Sequence, residues 1–262
     1  MFIYNGKEYD RVWFTSDEHY GSDRHIFLSQ RMDFLDSIKK EKELRMCKQN
    51  MESMGMCDSE VKGMLNHIGN TSYGISLKTP VGMMGEKLIT NHNKRVMHDD
   101  LVFHLGDFGT YAYAASLEGS HILVMGNYEY DECDKYFDSD FEKFKMYITG
   151  KYNFIDVIKD YRINIPLDNE SHYNFKLWNM IKDDVAQIFI THKPEDCIRI
   201  TDIINSNRKI MNLFGHIHEK GKVKRFGLNV GVDCHHFYPV SHDEVAFYLN
   251  AILHYYDDNV FM

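Results

Sequence analysis

The chain has no long hydrophobic run: its apolar stretches break after a few residues, too short to span a bilayer. Its N-terminal stretch, MFIYNGKEYDRVWF, has no basic segment followed by an extended apolar core, so no secretory signal and a cytoplasmic location are expected. C-x-x-C spacing is absent as well. The five cysteines (Cys47, Cys57, Cys133, Cys197 and Cys234) are odd in number and scattered. That excludes a disulfide frame or a zinc knuckle and fits reduced thiols. Positive charge is also scarce: 30 basic against 39 acidic residues leave a net charge of -9. Phosphate backbones need a basic footprint, so long nucleic acid is not the expected partner. Internal repeats and low-complexity segments are missing too.

What remains is a chain of 262 residues, 44% hydrophobic, with a mean hydropathy of -0.44. This suits one sizeable α/β domain over residues 1–262 carrying a decorating insertion. The stretch that organises it is LVFHLGDFG, residues 101–109. A short apolar run breaks at Gly106 and presents Asp107, which reads as a buried strand ending in a tight turn. The same construction recurs. Residues 11–16 run into Asp17 and His19, 122–125 into Gly126 and Asn127, 185–190 into Thr191 and His192, and 211–214 into Gly215, His216 and His218. Ligands of open α/β sheets sit beyond the carboxyl ends of strands, and Asp, Asn and His are metal-ligand types.

Ahead of and between these strands, residues 2–9 with 11–16 read as a hairpin or a lead-in strand, with Asn5 and Gly6 as a turn signal. Helical spacing is expected over 25–34, 137–147 and 243–256, with short strands over 154–165 and 222–232 and loops over 167–172 and 233–239. Residues 36–85 differ in texture. Leu44, Cys47, Met51 and Met54, then Val61, Met64, Leu65 and Ile68, form two helical stripes before a Gly-rich connector over 69–85. Asp58 or Ser59 is placed to cap the second. The dense methionines read as gap-filling core side chains, with a pliable lid or docking surface as the alternative.

In order, the turns spell D17-E-H19, G106-D107, G126-N127-Y128-E129, H192 and G215-H216-I-H218. This resembles the calcineurin-like metallophosphoesterase superfamily, whose pattern is D-x-H, G-D, G-N-H-D/E, H and G-H-x-H. The resemblance runs from about residue 12 into the C-terminal region, including T-H-K-P at 191–194 and N-V-G-V-D at 229–233. It implies a four-layer α-β-β-α sandwich of two mixed sheets, with the helical insertion added. It also implies two divalent ions. One would be held by Asp17, His19, Asp107 and His218, the other by Asp107, Asn127, His192 and His216. The residue types suit that task on their own terms. A carboxylate has two oxygens and can bridge, H-x-H in extended chain points both rings to one side, and Asn offers a neutral oxygen. A nitrogen and oxygen donor set without thiolate suits Mn2+, Fe or Zn2+, with Mn2+ favoured. Two such ions over two carboxylates leave local positive charge in an acidic chain, enough to attract one phosphate.

The activity implied is phosphoester hydrolysis, with a phosphodiesterase acting on a small or nucleotide-type substrate favoured. A nuclease of the same superfamily and a catalytically weak metal-binding scaffold are the alternatives. Two departures bear on this choice. Tyr128 stands where the family usually has a histidine that acts as general acid or orients substrate, and the spacing between His19 and Asp107 is long. Tyr128 is therefore the candidate catalytic residue. Among the remaining histidines, His104 is expected in the strand as a core or supporting group. His67, His92, His98, His121 and His172 are expected on the surface or in loops. His25 either stands in for a family histidine or belongs to the following helix, and His235 and His236 follow the last strand.

Overall fold

In the computed structural model, which describes residues 2–29, 31, 34, 45, 48–49, 51–57, 59–61, 80–166, 185–205 and 209–256, the chain opens with a hairpin. β1 (Phe2–Tyr4) and β2 (Lys7–Tyr9) pair antiparallel, with Tyr4 opposite Lys7. Between them Asn5 and Gly6 have φ of 48° and 80°. A two-residue hairpin turn needs this left-handed pair, and Asn-Gly adopts it at little cost. The turn lies where the sequence places it.

Contacts divide the chain into two units, residues 20–87 and residues 1–19 with 88–262. The larger unit contains two five-stranded mixed sheets. β3 (Val12–Thr15), β4 (Leu101–His104), β5 (Ser120–Val124) and β6 (Asp156–Ile158) run parallel in the first. The second comprises β7 (Tyr161–Pro166), β8 (Val185–Ile190), β9 (Lys209–Phe214), β10 (Val223–Lys224) and β11 (Gly227–Asn229). There β8, β9 and β11 are parallel, while β7 and β10 close the two edges antiparallel. β12 (Val240–Ser241) returns antiparallel to β3. The class is α/β with mixed sheets, as expected.

Alternation along the strands sets the core. In β4, Leu101 and Phe103 join one hydrophobic cluster while Val102, between them, joins another with Trp13 and Val96. The first cluster collects Phe14, Leu101, Phe103, Ile122 and Val124 from one sheet and Ile188, Ile190, Met211, Leu213 and Leu228 from the other. Every residue of β3 and β4 is buried, so both faces of the first sheet are covered there. Trp13 satisfies its indole N–H on Asp100 Oδ2 at 2.8 Å.

Among the described residues, the α-helices of five or more residues are α1 (Asp23–Leu28), α2 (Pro80–Asn93), α3 (Asn127–Phe137), α4 (Phe141–Lys151), α5 (Ile200–Asn205) and α6 (His242–Tyr255). A capping box starts α6: Ser241 Oγ accepts from the Glu244 N–H at 3.1 Å, and Glu244 Oε2 accepts from the Ser241 N–H at 2.8 Å. Val245 and Leu249, one turn apart, then enter the shared core. None of the described helices is long and apolar enough to cross a membrane.

Several expected elements move. The connector expected over 69–85 gives way at Pro80 to α2, because Pro suits a first helical position and Met84, Leu88 and His92 recur buried at helical spacing despite Gly82 and Gly85. The helix expected over 25–34 is α1, ending earlier; His25 belongs to it and pairs its Nδ1 with Ser22 Oγ at 2.8 Å. The helix expected over 137–147 becomes two, α3 and α4, separated by the left-handed pair Asp138 and Ser139. In the smaller unit Met84 is fully buried, next to Arg31 Nη1, but Met54 is 81% exposed. The loop expected over 167–172, the Asp58 cap, His67, His172 and most of the Met-rich stripes lie outside the described residues.

Candidate metal centre

Five strands of the larger unit deliver side chains to one place. Asp17 and His19 follow β3, Asp107 follows β4, Asn127 opens α3 after β5, His192 follows β8, and His216 and His218 follow β9. The turns are stitched to one another by backbone hydrogen bonds: Asp17 N to Gly106 O at 3.2 Å, His19 N to Asp107 O at 3.0 Å, and Gly215 N to His192 O at 2.9 Å. Gly106 (φ 83°) permits this approach, since a Cβ there would lie 2.7 Å from Gly126 N and 2.8 Å from His192 Nδ1.

The backbone at these turns is unusual. Asp17, His19, Asp107, His216 and His218 all have positive φ, between 50° and 70°. Each costs about 1–2 kcal/mol relative to ordinary backbone, and Asp, Asn and His tolerate it better than other non-glycine residues. Strain concentrated at side chains that converge is the pattern of a functional site.

Two groups result. Asp17, His19 and His218 each offer one ligand atom, mutually within 4.8 Å, and so do Asp107, His192 and His216. Asp107 links them. Its Oδ2 lies 3.9 Å from His19 Nε2, and its Oδ1 lies 3.5 Å from His192 Nε2. Asn127 Oδ1 belongs to the second group, 2.9 Å from His192 Nε2 and 3.0 Å from His216 Nδ1. Asp17, His19, Asp107 and His192 are buried, while His216 and His218 are partly open. All seven residues singled out in the sequence therefore meet. Tyr128 is beside them: its ring stands edge-on to His19 at 5.4 Å, and its N–H donates to Asp107 Oδ1 at 3.1 Å.

The donor set fits a cation. His192 Nδ1 faces the Leu105 carbonyl at 2.7 Å, a group that only accepts, so Nδ1 carries the hydrogen. In the neutral ring Nε2 then presents a lone pair toward Asn127 Oδ1 and Asp107 Oδ1, and three lone-pair atoms converge. Without a metal a proton can join them. Burial opposes charge on His192, but hydrogen bonding to Asp107 and the charges of Asp17 and Asp107 prevail and lift it to about 9. Burial raises the Asp17 carboxyl, against the pull of His192 and His218. His216 is lowered by burial and then by His192.

Residues quoted in the sequence motifs without a role of their own hold this arrangement. Glu129 Oε2 accepts from the N–H groups of Asp107 (2.8 Å) and Gly126 (2.9 Å), and Oε1 from Phe108 N–H (3.0 Å). It thereby ties the β4 turn to the start of α3. Burial and the Asp107 charge raise it to about 7. Its signal was its position three residues after the N-cap Gly126, the acidic place in a capping box. Asp233 and Asn229 contact His218, Asp233 Oδ2 taking its Nδ1 at 2.7 Å and Asn229 Nδ2 donating to its carbonyl at 2.7 Å.

Behind Asp107 lies a buried histidine cluster, which corrects the surface placement expected for His92 and His121. Their exposures are 4% and 0%. His92 Nε2 donates to Glu118 O at 2.9 Å, and His121 Nε2 donates to Leu117 O at 3.3 Å, so carbonyls left over at a chain reversal satisfy both rings. His121 Nδ1 must then accept from His104 Nε2 (3.1 Å), and one proton is shared between His104 Nδ1 and Glu18 Oε1 (2.6 Å). His104 is thus a buried supporting group, as expected, and burial pushes it down to about 3. His98 and His236 are exposed, and His235 Nε2 donates to Asn229 O at 2.8 Å.

No protein-family model matches the chain, and no curated protein matches it. Among solved structures, the protein of unknown function AQ665 from Aquifex aeolicus is similar over 90% of this chain and 98% of its own, at 18% identity and a TM-score of 0.44. A likeness at that level carries no argument about fold or activity.

Proposed function

We propose that this chain is a dinuclear metal-dependent phosphoesterase of the calcineurin-like type, a phosphodiesterase acting on a small or nucleotide-type substrate, with its two sheets in the four-layer α-β-β-α arrangement. The observation that carries the reading is Asp107, whose two oxygens face two separate groups of ligand side chains. One buried carboxylate between two such groups is the geometry of a bridge. Asp17, His19, Asp107 and His218 would hold one ion, and Asp107, Asn127, His192 and His216 the other, with Mn2+ favoured over Fe or Zn2+. Bound there, two divalent ions supply Lewis acidity and neutralise charge on a phosphoryl group.

The chain's own residues supply the rest. Glu129 fixes the Asp107 turn, and the Leu105 carbonyl fixes the His192 ring. Tyr128, 39% exposed beside His19, would meet a substrate oxygen. A phenol donates a proton far less readily near neutrality than a histidinium does, which favours esters whose leaving group departs as an anion. The test is metal analysis of the purified chain together with turnover of bis-p-nitrophenyl phosphate in Mn2+. Bound metal with turnover supports the phosphodiesterase, and bound metal without turnover leaves the scaffold reading. Absence of metal after growth in Mn2+, Fe and Zn2+ overturns both. DNA degradation across salt concentrations separates the nuclease.

A further inference from the structure

His218 is gripped differently from His192. Its Nδ1 lies 2.7 Å from Asp233 Oδ2, and the Asp233 side chain is only 4% exposed. An ionised carboxylate only accepts, so Nδ1 carries the hydrogen and Nε2 is left to face a cation. His192 has its hydrogen fixed the same way, but by a neutral backbone carbonyl. The two ligand groups therefore differ in the charge standing behind one of their histidines.

The segment that carries Asp233 does more than touch the ring. Asn229 Nδ2 and Cys234 Sγ both donate to the His218 carbonyl, at 2.7 and 3.1 Å. Asn229 Oδ1 accepts from Gly231 N at 2.8 Å, bending the segment so that Gly231 bridges Ser16 and Val232 N reaches Ser16 O at 3.0 Å. One short stretch, residues 229–234, thus holds the His218 backbone in its left-handed conformation, orients its ring and pins the residue before Asp17.

We propose that Asp233 is a positioning residue: it locks His218 as the Nδ1–H tautomer and sets the affinity of the Asp17, His19 and His218 group for a divalent cation, independently of the second group. This rests on the metal-centre reading above. Carboxylates behind metal-bound histidines orient the ring and strengthen the coordinating nitrogen, and losing one weakens binding about 10–100-fold.

The test uses the full chain, stripped of metal and titrated with Mn2+, as wild type and as the near-isosteric Asp233→Asn. Each is also made in a His216→Ala background, where only the Asp17 group keeps its full set. Wild type is expected to bind two ions. Asp233→Asn is expected to weaken one of them about 10–100-fold, to leave the other unchanged, and to show the same loss in the His216→Ala background. Nitrogen-15 imidazole spectra of the metal-free chain read the tautomer directly, with His218 expected as Nδ1–H in wild type and mixed in the variant. Unchanged binding of both ions, or equal weakening of both in a folded variant, overturns the proposal. If wild type binds none of Mn2+, Fe and Zn2+, the metal-centre reading fails, and the spectrum still decides on Asp233: an Nε2–H form of His218 in wild type refutes it.

Discussion

Replacing His92 with Gln should remove a specific acid sensitivity of the fold. His92 is 4% exposed, and burial, reinforced by neighbouring His104, pushes it from 6.5 to about 3, against the pull of the Glu118 carbonyl. The unfolded chain takes up a proton at His92 near pH 6.5, whereas the folded chain resists it until about pH 3. Stability supplied by this difference is therefore complete above pH 6.5 and is lost as pH falls through that window. At about 1.36 kcal/mol per unit, the loss reaches about 2 kcal/mol at pH 5 and about 5 kcal/mol at the bottom of the window. Gln keeps an N–H for Glu118 O and cannot titrate. Chemical unfolding in chelator, followed by circular dichroism at pH 8 and pH 5, isolates the term, because His104 and His121 keep their own sensitivity in both proteins. Wild type should lose about 2 kcal/mol more than His92→Gln between the two pH values. Equal losses, within about 0.5 kcal/mol, would refute the argument that His92 is held neutral by burial.

Other outcomes follow from the centre itself. On the proposed reading, Asp107→Asn removes the charge that would bridge the two ions, so bound metal and diester turnover should fall together, as elemental analysis and a nitrophenolate assay would show. Tyr128→His should raise rates most for the poorest leaving groups and add a falling limb at high pH, while Tyr128→Phe should cost little on nitrophenyl diesters; wild-type cleavage of alkyl monoesters at the rate of nitrophenyl diesters would disprove this. Glu129→Gln leaves at least one of three buried N–H groups facing an NH2, at about 1–3 kcal/mol, measurable as a lowered unfolding midpoint. Gly106→Ala imposes a strained φ and a collision with Gly126, so it should lower both stability and metal content.

The converging residues could be read in the sequence because each stands just past a short apolar run, and such runs announce buried strands. Asp107 after residues 101–105 and His192 after 185–190 are of this kind. His92 and His121 carry no such mark. Their burial depends on carbonyls of Leu117 and Glu118 that only the folded chain brings near, so a lone histidine in α2 or β5 looks like a surface residue. The start of α3 at Asn127 was hidden for a related reason: Gly126 and Glu129 cap it across the very motif that reads as a metal turn. Pro80 announced α2, but two glycines in its first two turns read as a connector. The grip of Asp233 on His218 spans chain segments that no periodicity links.

The hydrogen bonds from the His216 N–H to the Asp17 carboxylate join residues 199 positions apart. That span has a consequence for how the molecule is made. A growing chain exposes Asp17 and His19 early and Asp107 later, but His216 emerges only 199 residues after Asp17, with His218 following it. No fragment short of that can assemble either ligand group. Closing so long a loop is slow and follows the pairing of the strands that carry its ends. On the proposed reading the metal centre is complete only once strands of both sheets are in place, and ion capture would report that the two sheets have met.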